Sequence, residues 1–414
     1  MAAKKADFES WSKEFHISTV LARILRNREL TEIAEIEKFL HGSLKDCHSP
    51  WLLKDMDKAV DQILCAIENE ITIRVIGDYD VDGICASFIL TKGLQLMGAK
   101  SDTAIPHRIH DGYGLNRQLI QSAKDDGVDT IITCDNGIAA YFQIEYANSL
   151  GMTCIVTDHH EVPYEMVDGK KQYILPPAKA VIDPKQEECP YPYKNICGAV
   201  VAWKVVQKLW EKVQVTEDDR RELLEFAGIA TVCDVMELLD ENRIIVKEAL
   251  KSMGDSANAG LRALIKVHDI HPGNLSAYHI GFVLGPCFNA TGRLDTAERT
   301  LELLDCKNER EAIFLAAELK KLNESRKEMT EQGVEAAIHR IEQEGIDQDS
   351  VMVVYLPDCH ESLAGIIAGR IREKYYKPVF VLTRGEECVK GSGRSIDSYS
   401  MYEEMSKCKE LLLK

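Results

Sequence analysis

The segment Gly77-Asp78-Tyr79-Asp80-Val81-Asp82-Gly83 constrains the fold more than any other stretch of this 414-residue chain. Its aspartates alternate between an apolar run, Ile71-Thr72-Ile73-Arg74-Val75-Ile76, and an apolar helical pattern from Ile84 to Leu96. Charge held between two buried elements is costly unless a partner offsets its desolvation, and a divalent cation is the usual one. An EF-hand is the commonest use of such spacing, but it needs an incoming helix and a bidentate Glu at its twelfth position. Counted from Asp78, that position is Ile89, and the incoming run, rich in Ile and Val, favours a strand. The simplest competing reading is an acidic turn that caps a helix, with Asp82 favoured by the helix dipole. Only further acidic clusters elsewhere in the chain decide against it.

Such clusters follow. Strands are predicted at Ile71–Ile76, Thr130–Cys134, Thr153–Thr157 and Ala180–Ile182, separated by helical patterns at Ile84–Met97, Leu115–Asp126 and Ala140–Leu150. This alternation means βαβ units and a mostly parallel sheet, an α/β fold. The four strands run into Asp78-Tyr79-Asp80-Val81-Asp82, Asp135-Asn136-Gly137, Asp158-His159-His160 and Asp183-Pro184. In a parallel sheet these ends share one edge, where α/β ligand sites lie. Helical patterns follow at Ala199–Lys212 and Arg220–Cys233, and the second delivers Asp234 from an apolar base. Asp234 is therefore read as a fifth acidic ligand rather than a cap on the helix from Asn242.

Residues 1–60 read as an N-terminal helical segment with Thr31 as a helix cap. Residues 61–298 are expected to form the catalytic domain. Residues 299–345 read as a connecting helix, with Leu315, Leu319 and Leu322 at helical spacing. Residues 346–414 read as a smaller α/β domain with strands at Val351–Tyr355 and Val379–Leu382 around a helix at Leu363–Tyr376. The 50 basic and 67 acidic residues give a formal charge of −17, against a globally basic nucleic-acid coat but not against a local groove. The 13 cysteines include no C-x-x-C pair, so no zinc ribbon or disulfide scaffold is suggested. No stretch approaches a transmembrane helix and Met1-Ala2-Ala3-Lys4-Lys5 lacks an apolar signal core, so a cytoplasmic protein without membrane partners is expected.

Carboxylates with a few imidazoles suit Mg²⁺ or Mn²⁺. Two ions about 4 Å apart use five carboxylates economically and activate a water for in-line phosphoryl displacement. A phosphate substrate also needs cationic donors. Three segments offer them: the glycine-containing loop Pro106–Gly114 with Arg108, the glycine-bracketed turn Gly285–Leu294 with Asn289 and Arg293, and Lys390-Gly391-Ser392-Gly393-Arg394-Ser395, whose glycines let backbone amides approach an anion. Arg370, Arg372 and Lys374 add a basic helix near the third, which is equally an ordinary solvated face.

Taken together, Gly77–Gly83, Thr133-Cys134-Asp135-Asn136-Gly137-Ile138, Asp158-His159-His160 and Asp234 resemble, in order, the four motifs of the DHH phosphoesterase superfamily. Asp111-Gly112-Tyr113-Gly114-Leu115, Gly285–Leu294, His360–Arg370 and Gly391–Ser395 extend the resemblance over residues 20–414, most closely to the RecJ exonucleases. It implies a DHH domain at 61–298 and a DHH-associated substrate-binding domain at 346–414. It implies that Asp80, Asp82, Asp135, His159 and Asp234 hold two Mn²⁺ or Mg²⁺ ions, with Asp135 bridging and Asp78 a ligand or a support behind the ligands. His160 would contact the phosphate, with His160, Asp135 and Asp78 the catalytic group. Arg108, Asn289 and Arg293 would bind phosphate, and Arg370, Ser392, Gly393, Arg394 and Ser395 would guide the strand. The implied activity is hydrolysis of single-stranded DNA from the 5′ end to mononucleotides in recombination and repair. The implied partners of such a monomer are single-stranded DNA, a repair helicase and a single-strand-binding protein. Cys287 stands where such proteins often carry Arg. The family continues beyond Leu411-Leu412-Leu413-Lys414 with a Gly-Gly-His segment and an OB-fold, so a C-terminally short form with an incomplete associated domain is expected. The alternatives are a DHH hydrolase of short oligonucleotides or cyclic dinucleotides, and a scaffold that has lost its metals, which would show eroded ligands.

Overall fold

A computed structural model describes residues 5–108, 112, 114–385 and 388–412. Ile109, His110, Asp111 and Tyr113 of the predicted glycine loop lie outside them. The sheet strands are β1 (Ile73–Ile76), β2 (Ser101–Ala104), β3 (Thr130–Cys134) and β4 (Thr153–Thr157). An exposed hairpin of β5 (Tyr164–Val167) and β6 (Lys170–Tyr173) precedes the last sheet strand, β7 (Ala180–Ile182). The main sheet has the order β2-β1-β3-β4-β7 and is parallel throughout. The chain leaves β1 to one side for β2 and returns to the other side for β3. The order therefore reverses between β1 and β3, and the crevice outside their carboxyl ends is where an open α/β sheet binds ligands. Strand β3 is buried at every residue because helices cover both faces, which is why Thr-Ile-Ile-Thr-Cys shows no alternation of apolar and polar residues.

Two strand features escaped the sequence reading. Strand β2 is a partly exposed edge with the polar sequence Ser-Asp-Thr-Ala, which carries no apolar signal. The β5–β6 hairpin buries neither face, so no alternation marks it.

The helix after β1, Val81–Gln95, is buried along most of its length. It packs on Gly198–Leu209 and Glu217–Cys233, forming the largest apolar core. A separate small core of Trp11, Phe15, Leu25, Ile36 and Phe39 holds the N-terminal helices. There the cap position falls on Glu32 rather than Thr31, and no side chain bonds the helix start. The predicted 299–345 helix is two helices, Glu298–Asp305 and Glu309–Glu344. Asn308 divides them: its side chain accepts from the amides of Arg310 and Glu311 and so starts the second as an N-cap. The C-terminal part is a three-stranded sheet, β8 (Met352–Tyr355), β9 (Val379–Arg384) and β10 (Val389–Arg394), in the order β10-β9-β8. Helix Ala364–Tyr375 packs on it over a third core.

Candidate metal centre

The tips of β1, β3 and β4 bring Asp80, Asp135 and His159 together, with Asp234 from the helical side. Asp80 caps helix Val81–Gln95, its Oδ1 accepting from the amides of Asp82 at 2.9 Å and Gly83 at 3.1 Å. The capping reading of this loop thus holds for Asp80, whose carboxylate also lies among the clustered acids. Asp82 is anchored from outside its own loop. Its two oxygens accept from the backbone of Gly198 at 2.7 Å and Ala199 at 2.8 Å, the first turn of helix Gly198–Leu209. That positive helix end holds a carboxylate well. Asp135 ends β3 with φ 58°, a left-handed conformation that Asp tolerates better than most residues. Asp234 follows the last turn of Glu217–Cys233 as its C-cap.

Three overlapping sets bring ligand atoms within 4.8 Å of one another: Asp78, Asp80 and Asp135; Asp82, His159 and Asp234; and Asp135, His159 and His160. His159 Nε2 lies 3.1 Å from Asp135, 3.5 Å from Asp82 and 3.8 Å from Asp234. Ionised carboxylates at such separations repel by about 3 kcal/mol per pair at an effective dielectric near 20. The protein therefore raises their pKa values. Burial, then the charge of Asp80, lifts Asp78 to about 7 from the ordinary 3.8. Burial, then Asp82, lifts Asp234 to about 7, and burial and the neighbouring acids raise Asp135 well above its usual range. Burial pushes His159 down, towards the neutral imidazole that ligates metals. Asp78 Oδ1 and His159 Nδ1 are buried without a hydrogen-bond partner among the described residues. Hard oxygens, a neutral imidazole and orphaned buried atoms fit divalent cations. Manganese affinity should therefore rise with pH through about 7, by about tenfold per unit for each proton the ion displaces. Calorimetric titration checks this; affinity that does not change over that range would mean the carboxyls are already ionised.

Asp158 and Asp183, the other acids at this edge, act differently. Asp158 Oδ1 accepts from His160 Nδ1 at 2.7 Å and from the His159 amide at 2.7 Å, while Oδ2 accepts from Ile138 N at 2.8 Å. Burial pushes this carboxyl up, but the His160 bond and charge and the two amides outweigh it and the net shift is downward. In return the Asp158 bond raises His160, whose side chain is 46% exposed. Asp183 lies against Asp158, belongs to none of the three sets, and is lifted by burial, then by Asp158, to about 8.

The cationic flank differs from the predicted loops. Gly285–Leu294 is an α-helix rather than a turn, preceded by the π-helical turn Ile280–Leu284. Its lack of side chains at two positions explains the glycines. A Cβ at Gly285 would strike Cys233 Sγ, beside Asp234, and one at Gly292 would strike the Tyr79 carbonyl. The helix thus lies across both arms of the acidic cluster. Arg293 donates from Nη1 to the Ser362 carbonyl at 2.8 Å, tying this helix to the C-terminal part. Burial, then the Arg108 charge, lowers Arg293 to about 10. Arg108 stacks 4.6 Å over the Tyr79 ring, and Asn289 is half-buried on the same helix as Arg293. Lys390–Arg394 is strand, paired antiparallel with β9 as the edge of its sheet. Ser392 and Arg394 sit over Gly365, and the Ser395 hydroxyl donates to backbone carbonyls of Tyr399 and Ile396. Arg370 lines a cleft with Arg326, a residue the sequence reading passed over because it lies mid-helix among other charges. The Gly198 and Ala199 donors were missed for a different reason: backbone amides carry no sequence signal.

Residues 72–231 match the DHH family, N-terminal domain. The single-stranded-DNA-specific exonuclease RecJ of Escherichia coli is 33% identical over 94% of this chain and 68% of its own length. The chain belongs to the RecJ family. The RecJ of Bacillus subtilis is 35% identical over 98% of the chain, which spans half of that longer protein. Among RecJ structures, one of exonuclease RecJ bound to manganese superposes with a TM-score of 0.75 at 30% identity, covering 87% of each chain. RecJ from Thermus thermophilus in complex with Mn²⁺ gives 0.73 at 28% identity, over 87% of this chain and 50% of that one.

Proposed function

We propose that this chain is a two-metal phosphodiesterase that degrades single-stranded DNA from the 5′ end to mononucleotides, in recombination and repair. The observation that carries the reading is the convergence of Asp78, Asp80, Asp82, Asp135, His159 and Asp234 at the β1/β3 switch point, beside Arg108 and Arg293. RecJ relatives are named as single-stranded-DNA exonucleases and two related structures hold manganese, which supports both substrate and ion. Asp80, Asp82, Asp135, His159 and Asp234 would hold two Mn²⁺ or Mg²⁺ ions, with Asp78 completing one set. When bound, such ions acidify a water and neutralise charge on the phosphoryl group.

The remaining work falls to the protein's own side chains. Asp158 fixes the His160 ring through Nδ1 and favours its charged form, so Nε2 can present a proton to a phosphate oxygen. Asp82 is kept in place by the Gly198 and Ala199 amides. Arg108 and Arg293 supply guanidinium donors to the departing or retained phosphates. On the domain scale, residues 61–298 carry the chemistry and residues 346–414, with Arg370, Ser392, Gly393, Arg394 and Ser395, guide the strand; a core from Ala337 to Val381 that is separate from the main core, Leu53 to Leu319, supports two bodies. No helix among the described residues is long and apolar enough to cross a membrane. The protein would work as a cytoplasmic monomer with a repair helicase and a single-strand-binding protein, the partners that the family resemblance implies.

The test is digestion of 5′- and 3′-labelled single strands with Mn²⁺, Mg²⁺ or chelator. Release of label from the 5′ end as mononucleotide, lost in chelator, is expected. Preference for dinucleotides over long strands would favour a short-oligonucleotide hydrolase instead.

A further inference from the structure

Upstream of Arg293, the helical turns that lead into helix Gly285–Leu294 present an aromatic pair to water. Phe282, 68% exposed, stacks on Tyr278, 63% exposed, with ring centroids 5.1 Å apart and planes inclined by 28°. Phe282 and Pro286 open into a cleft of about 500 Å³, walled by helix Glu309–Glu344 and helix Ala364–Tyr375. Arg326, Lys327 and Arg370 line it, with Glu331 and Glu335, so cations exceed carboxylates by 3 − 2 = 1.

Arg326 is the least exposed of these cations. It is half-buried, its Nε donates to Asn323 Oδ1 at 3.0 Å, and it makes no ion pair with a carboxylate among the described residues. Arg370 adds a like charge beside it. A partly desolvated guanidinium facing another cation is stabilised by an anion, and a phosphate fits its planar donor fork. Pro286 and Arg293 belong to one helix, so the cleft opens about 10 Å along it from the cationic edge of the metal centre. Exposed rings beside unpaired cations are what a single strand requires, since every base offers a π-face for stacking.

The geometry points to this cleft as a second nucleotide subsite, where a base stacks on Phe282 and the adjoining phosphate bonds Arg326 and Arg370. It rests on the exonuclease reading and adds where the strand is gripped on the 3′ side of the scissile bond. Fluorescence anisotropy with oligothymidylates of increasing length, in chelator, measures binding without turnover. Phe282→Ala should weaken binding of the longer strands by about 5- to 100-fold. Arg326→Gln should lower the slope of log affinity against log salt by about one, while Arg326→Lys, which keeps the charge, should retain it. Phe314→Ala, at an aromatic residue 62% exposed outside the cleft, should leave binding unchanged. Wild-type affinity in both Phe282→Ala and Arg326→Gln, in a protein that does bind single strands, overturns the subsite and leaves the exonuclease reading intact. A wild-type protein that neither binds nor cleaves single strands defeats that reading itself.

Discussion

Replacing Asp135 by Ala will abolish metal-dependent nuclease activity and leave the fold largely intact. Asp135 takes part in two of the three ligand sets, so its loss removes a donor from both sides of the centre. A fall in turnover of roughly a thousandfold or more, about 4 kcal/mol of transition-state stabilisation, is the expected size. Two terms act on stability in opposite directions. Ala tolerates the left-handed backbone at φ 58° less well than Asp, at about 1 kcal/mol. Against this, removing one acid from a crowded cluster relieves repulsion in the metal-free protein. Asp135→Asn keeps the backbone preference and should be equally inactive with less change in melting temperature. Unchanged turnover in either variant would refute the two-metal assignment.

Gly198→Ala should damage the same centre from behind. A Cβ at residue 198 would lie 2.7 Å from Asp135 Cβ and 2.9 Å from Asp135 Cα, and neither atom sits on a flexible end that could swing away. Relief requires the start of helix Gly198–Leu209 to move away from β3, and that helix start holds both oxygens of Asp82. Overpacking of this kind costs about 1–3 kcal/mol, and a displacement near 1 Å at a catalytic constellation costs about a hundredfold in rate. Thermal unfolding and turnover measured together check both effects. A variant with wild-type rate and melting temperature would show that the helix start is not what positions Asp82.

The acidic edge was legible because each contribution is local. An apolar run followed by Asp identifies a strand tip at β1, β3, β4 and β7, and parallel topology brings such tips together. The anion-binding segments were legible as composition but not as shape. Gly285–Leu294 reads as a turn because its glycines suggest one, yet they serve close packing against Cys233 and Tyr79 within a helix. Lys390–Ser395 reads as a segment whose amides approach an anion, yet as far as Arg394 it pairs with β9, and the alternating glycines fit an edge strand packed close to its neighbours. The long helix is interrupted by a single Asn308 cap, a one-residue feature inside a run whose charge pattern continues across it.

From sequence alone follow the α/β class, the strand-end placement of Asp78, Asp80, Asp82, Asp135 and His159, and the divalent-metal chemistry, because these depend on residue type and short-range periodicity. Only the tertiary structure decides how those groups are tuned and what surrounds them. The helix start at Gly198 holds Asp82, Asp158 orients His160 and raises its pKa, and Arg326 meets Arg370 across a cleft. The first and the last join segments remote in sequence, and the second depends on how the strand end turns one side chain onto its neighbour; neither a long-range approach nor a side-chain orientation leaves a mark on the order of the residues.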